Sequence, residues 1–391
     1  MDTYSYKENL IIDLGACYCK SGLSNEIIEK NKENNQSLEY YTLKSGYCEH
    51  ESKDEEIADS QFHTKEGFER CRKSWTFKYP LKLKPEDYYR EYPDFYDFDD
   101  IYSDLNLDQQ ESFLQNMYKF LFEHFELSPR HGNVLLTEKG FMPKLYKKID
   151  AKIMFEELGI ENLYIANVGV LNLLSQEKST GVSIDIGYTT TQITPVVDGC
   201  KIGTNLSLNC SVKDIDEYLK KEYKKIGGHN ISSFERYREK NGCSFNPNSN
   251  LKEPYIEGKP FRTQFLKSPE VIFDHSLNPN SSLGVVEGLI KSIKNFDEAI
   301  KKELYGSICL SGEITCIEGF ETRFREEIKQ RLKENNERDF IEDVKIIAPK
   351  NRYYSALIGG AILSETASMT DWVSKKEYEE MGENIIPRKF F

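Results

Sequence analysis

Leu10-Ile11-Ile12-Asp13-Leu14-Gly15 is a short apolar run that ends in Asp-x-Gly, and Val182-Ser183-Ile184-Asp185-Ile186-Gly187 repeats it in the second half of the chain. Each is followed by a tight turn and a second β-prone run, Cys17 to Leu23 and Thr190 to Val197. Each unit therefore reads as a β-hairpin with a carboxylate at its bend. Two such units in a chain of 391 residues predict two lobes of related topology, since single cores stop growing at about 250–300 residues. Paired Asp-x-Gly turns have a physical use. The glycine lets backbone approach a phosphate, turn N–H groups donate to its oxygens, and two carboxylates can hold a hydrated divalent cation. The bland alternative is that both aspartates cap strand turns.

Outward from the hairpins the chain alternates. Asn133 to Leu136 reads as a strand. Lys144 to Leu158 reads as a helix with Leu145, Ile149 and Ile153 on its buried face and Gly159 at its C-terminus. Asn162 to Ala166 is the next strand. Val285 to Leu304 reads as one amphipathic helix with Val286, Leu289, Ile293, Phe296 and Ile300 in a stripe. Ser307 to Leu310 is a strand ending at Ser311-Gly312. Phe320, Phe324, Ile328 and Leu332 line another helix, and Val344 to Ile347 is a strand stopped by Pro349. Ser374-x-x-Glu377 is a capping box, and Gly382 can end that helix. The pattern predicts an α/β protein with mostly parallel sheet. Glu39 to His63 reads as a mobile acidic loop, and the acidic, aromatic stretch Lys82 to Asp104 as a surface insertion.

Composition narrows the function. A formal net charge of -13 repels phosphate backbones, so no direct nucleic-acid partner is expected. No apolar run nears 18 residues, so no membrane span is expected. Nine scattered cysteines with no CxxC pair read as reduced thiols; Cys17–Cys19 and Cys48–His50 are too few ligands for a tetrahedral metal site.

On these residues the chain resembles actin and the actin-related proteins along nearly its whole length. Leu10 to Leu23 resembles the family's first phosphate hairpin, and Thr180-Gly181 through Gly187 the second. Val134-Leu135-Leu136-Thr137-Glu138 and Ile153-Met154-Phe155-Glu156 resemble two outer-lobe motifs. Leu310-Ser311-Gly312, Val344 to Pro349, Ile358-Gly359-Gly360, Trp372-Val373-Ser374 and Arg388-Lys389-Phe390-Phe391 resemble motifs of the C-terminal half. The resemblance is weak over 24–75, 82–110 and 200–283.

The resemblance implies an actin-like ATPase fold, with ribonuclease H-like duplicated lobes around a nucleotide cleft. The outer lobe would be 1–174, with a divergent tip at about 35–75 and the insertion at 82–104. The inner lobe would be 175–350, and 351–391 would return to the outer lobe. ATP or ADP with Mg or Ca would be the cofactor. The positions that would contact it are Asp13, Gly15, Lys20, Asp185, Gly187, Thr189, Gly312, Glu313 and Tyr353, with Asp13 and Asp185 toward the metal.

The same comparison finds departures. The first turn continues Gly15-Ala16-Cys17 where the family has Gly-Ser-Gly, which removes a phosphate-binding hydroxyl and a permissive glycine. The second turn carries Tyr188 in place of an acid. The family's water-orienting Gln and His align with Val168 and Gln192, with Asn167 one position away. Glu313 stands in a Ser-Gly-Gly-Thr motif, Tyr353 replaces a lysine, and the adenine clasp survives only as Arg238-Glu239-Lys240. Losing a positioned base or orienter costs about 10²–10⁴ in rate, so hydrolysis is expected to be very slow or absent, with the pocket empty or weakly binding. A polar Ser45 to Gln61 and an Asn- and Ser-rich Ser276 to Leu283 oppose homopolymer formation.

The expectation is a structural subunit beside other actin-fold or cytoskeletal subunits, in a cytoskeletal, ciliary or motor-associated complex in the cytoplasm. A partner helix would dock near Ile358, Ile362, Leu363 and Thr366, and the 82–104 insertion is a second candidate contact. A nuclear, chromatin-remodelling subunit and a static ATP-binding protein are the alternatives. An active ATPase or sugar kinase is opposed by Val168 and Gln192.

Overall fold

A computed structural model describes residues 8–15, 18–32, 40–44, 47–49, 76–78, 107–140, 144–203, 205–228, 243–245, 255–256, 259–278 and 281–390. Both Asp-x-Gly runs become strands, Asn9–Leu14 and Gly181–Ile186, and each turns back on itself as Tyr18–Leu23 and Thr191–Val197. The first hairpin pairs antiparallel with Asp13 opposite Lys20, and the second with Asp185 opposite Gln192. The next neighbour of each leading strand is parallel: Asn133–Glu138 beside the first, Ile308–Ser311 beside the second. The repeat in the sequence is thus a repeat in topology.

The chain divides into two compact units, Met1–Asn167 with Gly360–Phe391, and Val168–Gly359. The division falls a few residues from the sequence boundaries: 168–174 and 351–359 group with the middle of the chain. In the first unit the sheet order is Val373–Ser374, Asn162–Asn167, Asn133–Glu138, Asn9–Leu14, Tyr18–Leu23, Tyr41–Lys44. Three of these neighbouring pairs are antiparallel and two parallel. The second unit's sheet is mixed in the same way. The expectation of mostly parallel sheet is corrected, because the short turns of the two hairpins join only antiparallel strands while parallel pairs need a crossover.

The first unit's core gathers Leu10, Ile12, Leu136, Ile153 and Leu163 from the sheet and its flank with Met117, Tyr118 and Leu121 of the helix Leu107–His124. A row of asparagines fixes the register of three strands. Asn133 donates to Asn9 at 2.9 Å, and Asn162 donates to Asn133 at 2.8 Å. The second unit's core joins Val182, Ile184 and Leu310 to Ile215 and Leu219 of the helix Val212–Lys225 and to Phe320, Phe324, Ile328 and Leu332 of the helix Phe320–Glu334. All four positions of that last stripe are 0% exposed, so its period was read correctly.

Local differences have local causes. Lys144–Lys152 is α-helical, but Ile153–Leu158 opens into a π-helix that ends at Gly159 with φ 74°. Within the α-helical part, successive i, i+4 steps drift off the buried face, so Tyr146 is buried and Leu145, expected inside, is 38% exposed. Val285 to Leu304 is two helices, Val285–Ile293 and Glu298–Tyr305, because Asp297 accepts from the Ile300 N–H and starts a new N-terminus. The stretch expected as a mobile loop holds two strands, Tyr41–Lys44 and Tyr47–Glu49. Ser374 and Glu377 form the predicted capping box, and Gly382 ends the helix at φ 65°. The 82–104 insertion, Cys17, Arg238-Glu239-Lys240 and most of 45–75 lie outside the described residues.

Candidate functional site

In the first hairpin, register puts Lys20 across from Asp13, and its Nζ donates to Asp13 Oδ2 at 2.9 Å. Thr137, at the end of the parallel neighbour, donates through Oγ1 to Asp13 Oδ1 at 2.9 Å and accepts from the Leu14 N–H at 3.3 Å. Asp13 is buried. Burial raises its pKa, but the Lys20 charge and hydrogen bonds from Lys20 and Thr137 outweigh it and hold the carboxyl below its usual value. Gly15 closes the turn, its N–H donating to the Tyr18 carbonyl at 3.0 Å. A Cβ there would meet that carbonyl oxygen at 2.6 Å, so this glycine is required by the turn itself. Beside the ion pair, burial and then Asp13 push the Cys19 thiol far up, which leaves it a neutral thiol and a poor metal ligand.

In the second hairpin, Asp185 is partly exposed and lies between Gln192 and Ser311 in register. Gly187 donates to the Thr190 carbonyl at 3.0 Å, and Gly187 and Tyr188 carbonyls accept from the N–H groups of Val212 and Lys213 at 3.2 and 2.9 Å. The turn thus uses the opening N–H groups of the helix Val212–Lys225, which Ser211 and Asp214 cap. The Tyr188 side chain packs against the second unit's apolar core, and Thr189 is half-buried. Gln192 is 7% exposed on its strand, and Val168, the first residue of the helix Val168–Leu174, is 4% exposed.

The strand Ile308–Ser311 ends as expected at a glycine with a special backbone. Gly312 has φ 93°, and a Cβ there would sit 2.2 Å from the Ile186 carbonyl oxygen. Glu313 is exposed, so it is turned toward solvent. Tyr353 is half-buried with its ring 4.7 Å from that of Tyr354. Between them sits a residue that the sequence did not single out. Arg352 is buried and spends its guanidinium on neutral acceptors: Thr315 Oγ1 at 3.0 Å, Thr315 O at 2.5 Å, Ala348 O at 3.1 Å and Pro349 O at 2.8 Å. It ties the loop after Gly312 to the chain around Pro349. The one available signal was an arginine beside the expected pocket position, where a long fork can collect carbonyls.

Ile358 is 1% exposed and belongs to the core, which corrects its place among the partner contacts, since a side chain without surface can touch no partner. Ile362 and Leu363 are half-buried and Thr366 is exposed. Among the described residues no group of three His, Cys, Asp or Glu side chains is arranged to hold a metal ion, and no helix is long and apolar enough to cross a membrane. Cys19, Cys200, Cys210, Cys243, Cys309 and Cys316 take part in no disulfide.

A family model described as Actin matches residues 5–257 and 235–391. With the duplicated hairpin-led sheets, this shows that the chain belongs to the actin family. Each half of the family's phosphate machinery can then be tested against its own residues. The first hairpin offers one group that suits a phosphate, the Lys20 ammonium beside the turn, which here is paired with Asp13. The second fits poorly, since the side chain at its acid position is a tyrosine engaged with the core.

Proposed function

We propose that this actin-family chain is a divergent actin-related protein that serves as a structural, non-polymerising subunit of a cytoskeletal, ciliary or motor-associated complex in the cytoplasm. It holds ATP or ADP weakly or not at all and hydrolyses little or none. The observation that carries this reading is Val168, an apolar side chain at 4% exposure where the resemblance assigns the water-orienting glutamine. An isopropyl group can neither donate to nor accept from an attacking water, and loss of such an orienter costs about 10²–10⁴ in rate. Tyr188, packed on the core in place of an acid, supports the same reading. A static, non-hydrolysing nucleotide is the second reading, favoured by the Lys20–Asp13 pair and by the strained turn at Gly312.

The test is nucleotide content after gentle purification, followed by single-turnover assay with Mg-ATP and sedimentation at polymerising salt. No bound nucleotide, no turnover and no pellet are expected. Stoichiometric ATP that does not turn over would replace the main reading with the static one. ADP accumulating from added ATP, or a sedimenting polymer, would overturn both.

A further inference from the structure

A cavity of about 170 Å³ lies at the edge of the first unit's sheet, beside the strand Tyr41–Lys44 and the helix Ser24–Lys32. Its floor includes Ser21, which is 0% exposed and whose Oγ has no hydrogen-bond partner. Ser21 stands opposite Tyr41 in the antiparallel register, so both side chains share one face of the sheet. The wall is aromatic. Tyr41 stacks on His124 at 3.7 Å, and Phe125 meets both edge-on, at 5.8 and 4.9 Å. The ring of Tyr40 carries the Lys30 ammonium 5.7 Å from its centroid. On the rim, Glu26 is exposed and has no ion-pair partner among the described residues, although Lys30 follows one turn later on the same helix.

We infer that this cavity receives the guanidinium of an arginine side chain presented by a partner protein. Two features select the cation. Glu26 is a carboxylate with no ion-pair partner among the described residues, and phenol ring faces attract positive charge. Lys30 over Tyr40 already marks one ring face as a cation seat. An anion would have Lys30 as its ammonium partner and would meet Glu26 and the negative faces of the rings. Arginine suits the cavity better than lysine. Its planar fork can pair with Glu26 while lying flat on an aromatic face, which a point ammonium cannot do at once. The volume is below the roughly 300–1,000 Å³ of metabolite pockets, which suits one side chain and not a free cofactor. The net charge of -13 steers basic segments toward the protein. The repulsion from Lys30 is limited because that side chain is exposed and can swing into solvent, where salt screens charges beyond about 8 Å.

The experiment is a titration of the full chain with acetyl-Gly-Arg-Gly-amide, followed at the His124 ring resonances, with citrulline, lysine and aspartate in place of arginine. A saturable shift with arginine is expected, at least threefold weaker with lysine and absent with citrulline. Glu26→Gln should weaken it severalfold, and Lys30→Ala should tighten it; both positions are exposed, so both variants keep the fold. Saturable binding of the aspartate peptide, equal binding of citrulline, indifference to Glu26→Gln, or no saturation with any peptide would each overturn the inference.

Discussion

The Tyr118 hydroxyl donates a 2.7 Å hydrogen bond to Asp150 Oδ1, and both residues are buried in the first unit. Asp150 has no cation partner among the described residues. Burial drives its pKa up and the Glu138 charge adds to this, while the Tyr118 bond lowers it; the net result is a carboxyl at about 7. The folded pKa is above the unfolded value of 3.8, so the folded state keeps a proton that the unfolded state releases. The favourable contribution is full below the unfolded pKa and is lost as pH rises to about 7. Wild type should therefore lose on the order of 2 kcal/mol between pH 5 and pH 7 from this group, at about 1.36 kcal/mol per unit of proton linkage. Asp150→Asn should flatten that slope in urea unfolding at a series of pH values, and should be the more stable form at pH 8.

Lys147 is expected to act as the anchor of the C-terminal segment. Its Nζ pairs with the buried Glu138 at 2.8 Å and donates to the Phe390 carbonyl at 3.0 Å. Removing one partner of a buried pair costs about 3–5 kcal/mol, while replacing both with apolar groups is much cheaper. Lys147→Met should lower stability by that amount and speed hydrogen exchange in the segment Ile386–Lys389. Lys147→Met with Glu138→Leu should recover most of the stability but not the exchange protection of that segment, because the bond to Phe390 is still missing.

Arg352→Lys should destabilise the second unit by about 3 kcal/mol, since one ammonium cannot reach the four acceptors that the guanidinium fork holds and each stranded buried group costs about 1–3 kcal/mol. Hydrogen exchange should rise first at Thr315 and in the segment around Pro349. An unchanged exchange pattern would count against the clamp.

Gly312→Ala meets two penalties together. A positive φ of 93° is poorly tolerated by any Cβ, and the Ile186 carbonyl oxygen stands 2.2 Å from where that atom would be. A loss of about 3 kcal/mol or more is expected in thermal or urea unfolding. Gly382→Ala is the control: its φ of 65° carries the conformational penalty, but nothing lies within 4 Å of the added atom. Its cost should be about 1–3 kcal/mol, the conformational penalty alone, and smaller than that of Gly312→Ala.

Much was legible in the chain itself. Short apolar runs ending in Asp-x-Gly, each followed by a second β-prone run, signalled the two hairpins, because strand formation and turn chemistry are local. The stripe Phe320, Phe324, Ile328, Leu332 and the box Ser374–Glu377 were local too. The π-helix after Lys152 was not, since its apolar spacing suits an α-helix equally well and packing chooses between them. Nor was the break before Asp297, where an N-cap competed with a continuous stripe.

At the candidate site, sequence named Asp13, Lys20, Gly312 and the substitution at Val168 because residue type and motif position suffice for those. Only the tertiary structure joined Asp13 to Thr137, gave Arg352 its four acceptors, packed Tyr188 against the core and set Asp150 against Tyr118. Apart from the Arg352 bonds to Ala348 and Pro349, those pairings link residues tens of positions or more apart in the chain. Hydrogen-bond geometry and burial decide them, and neither is a property of any short stretch of sequence.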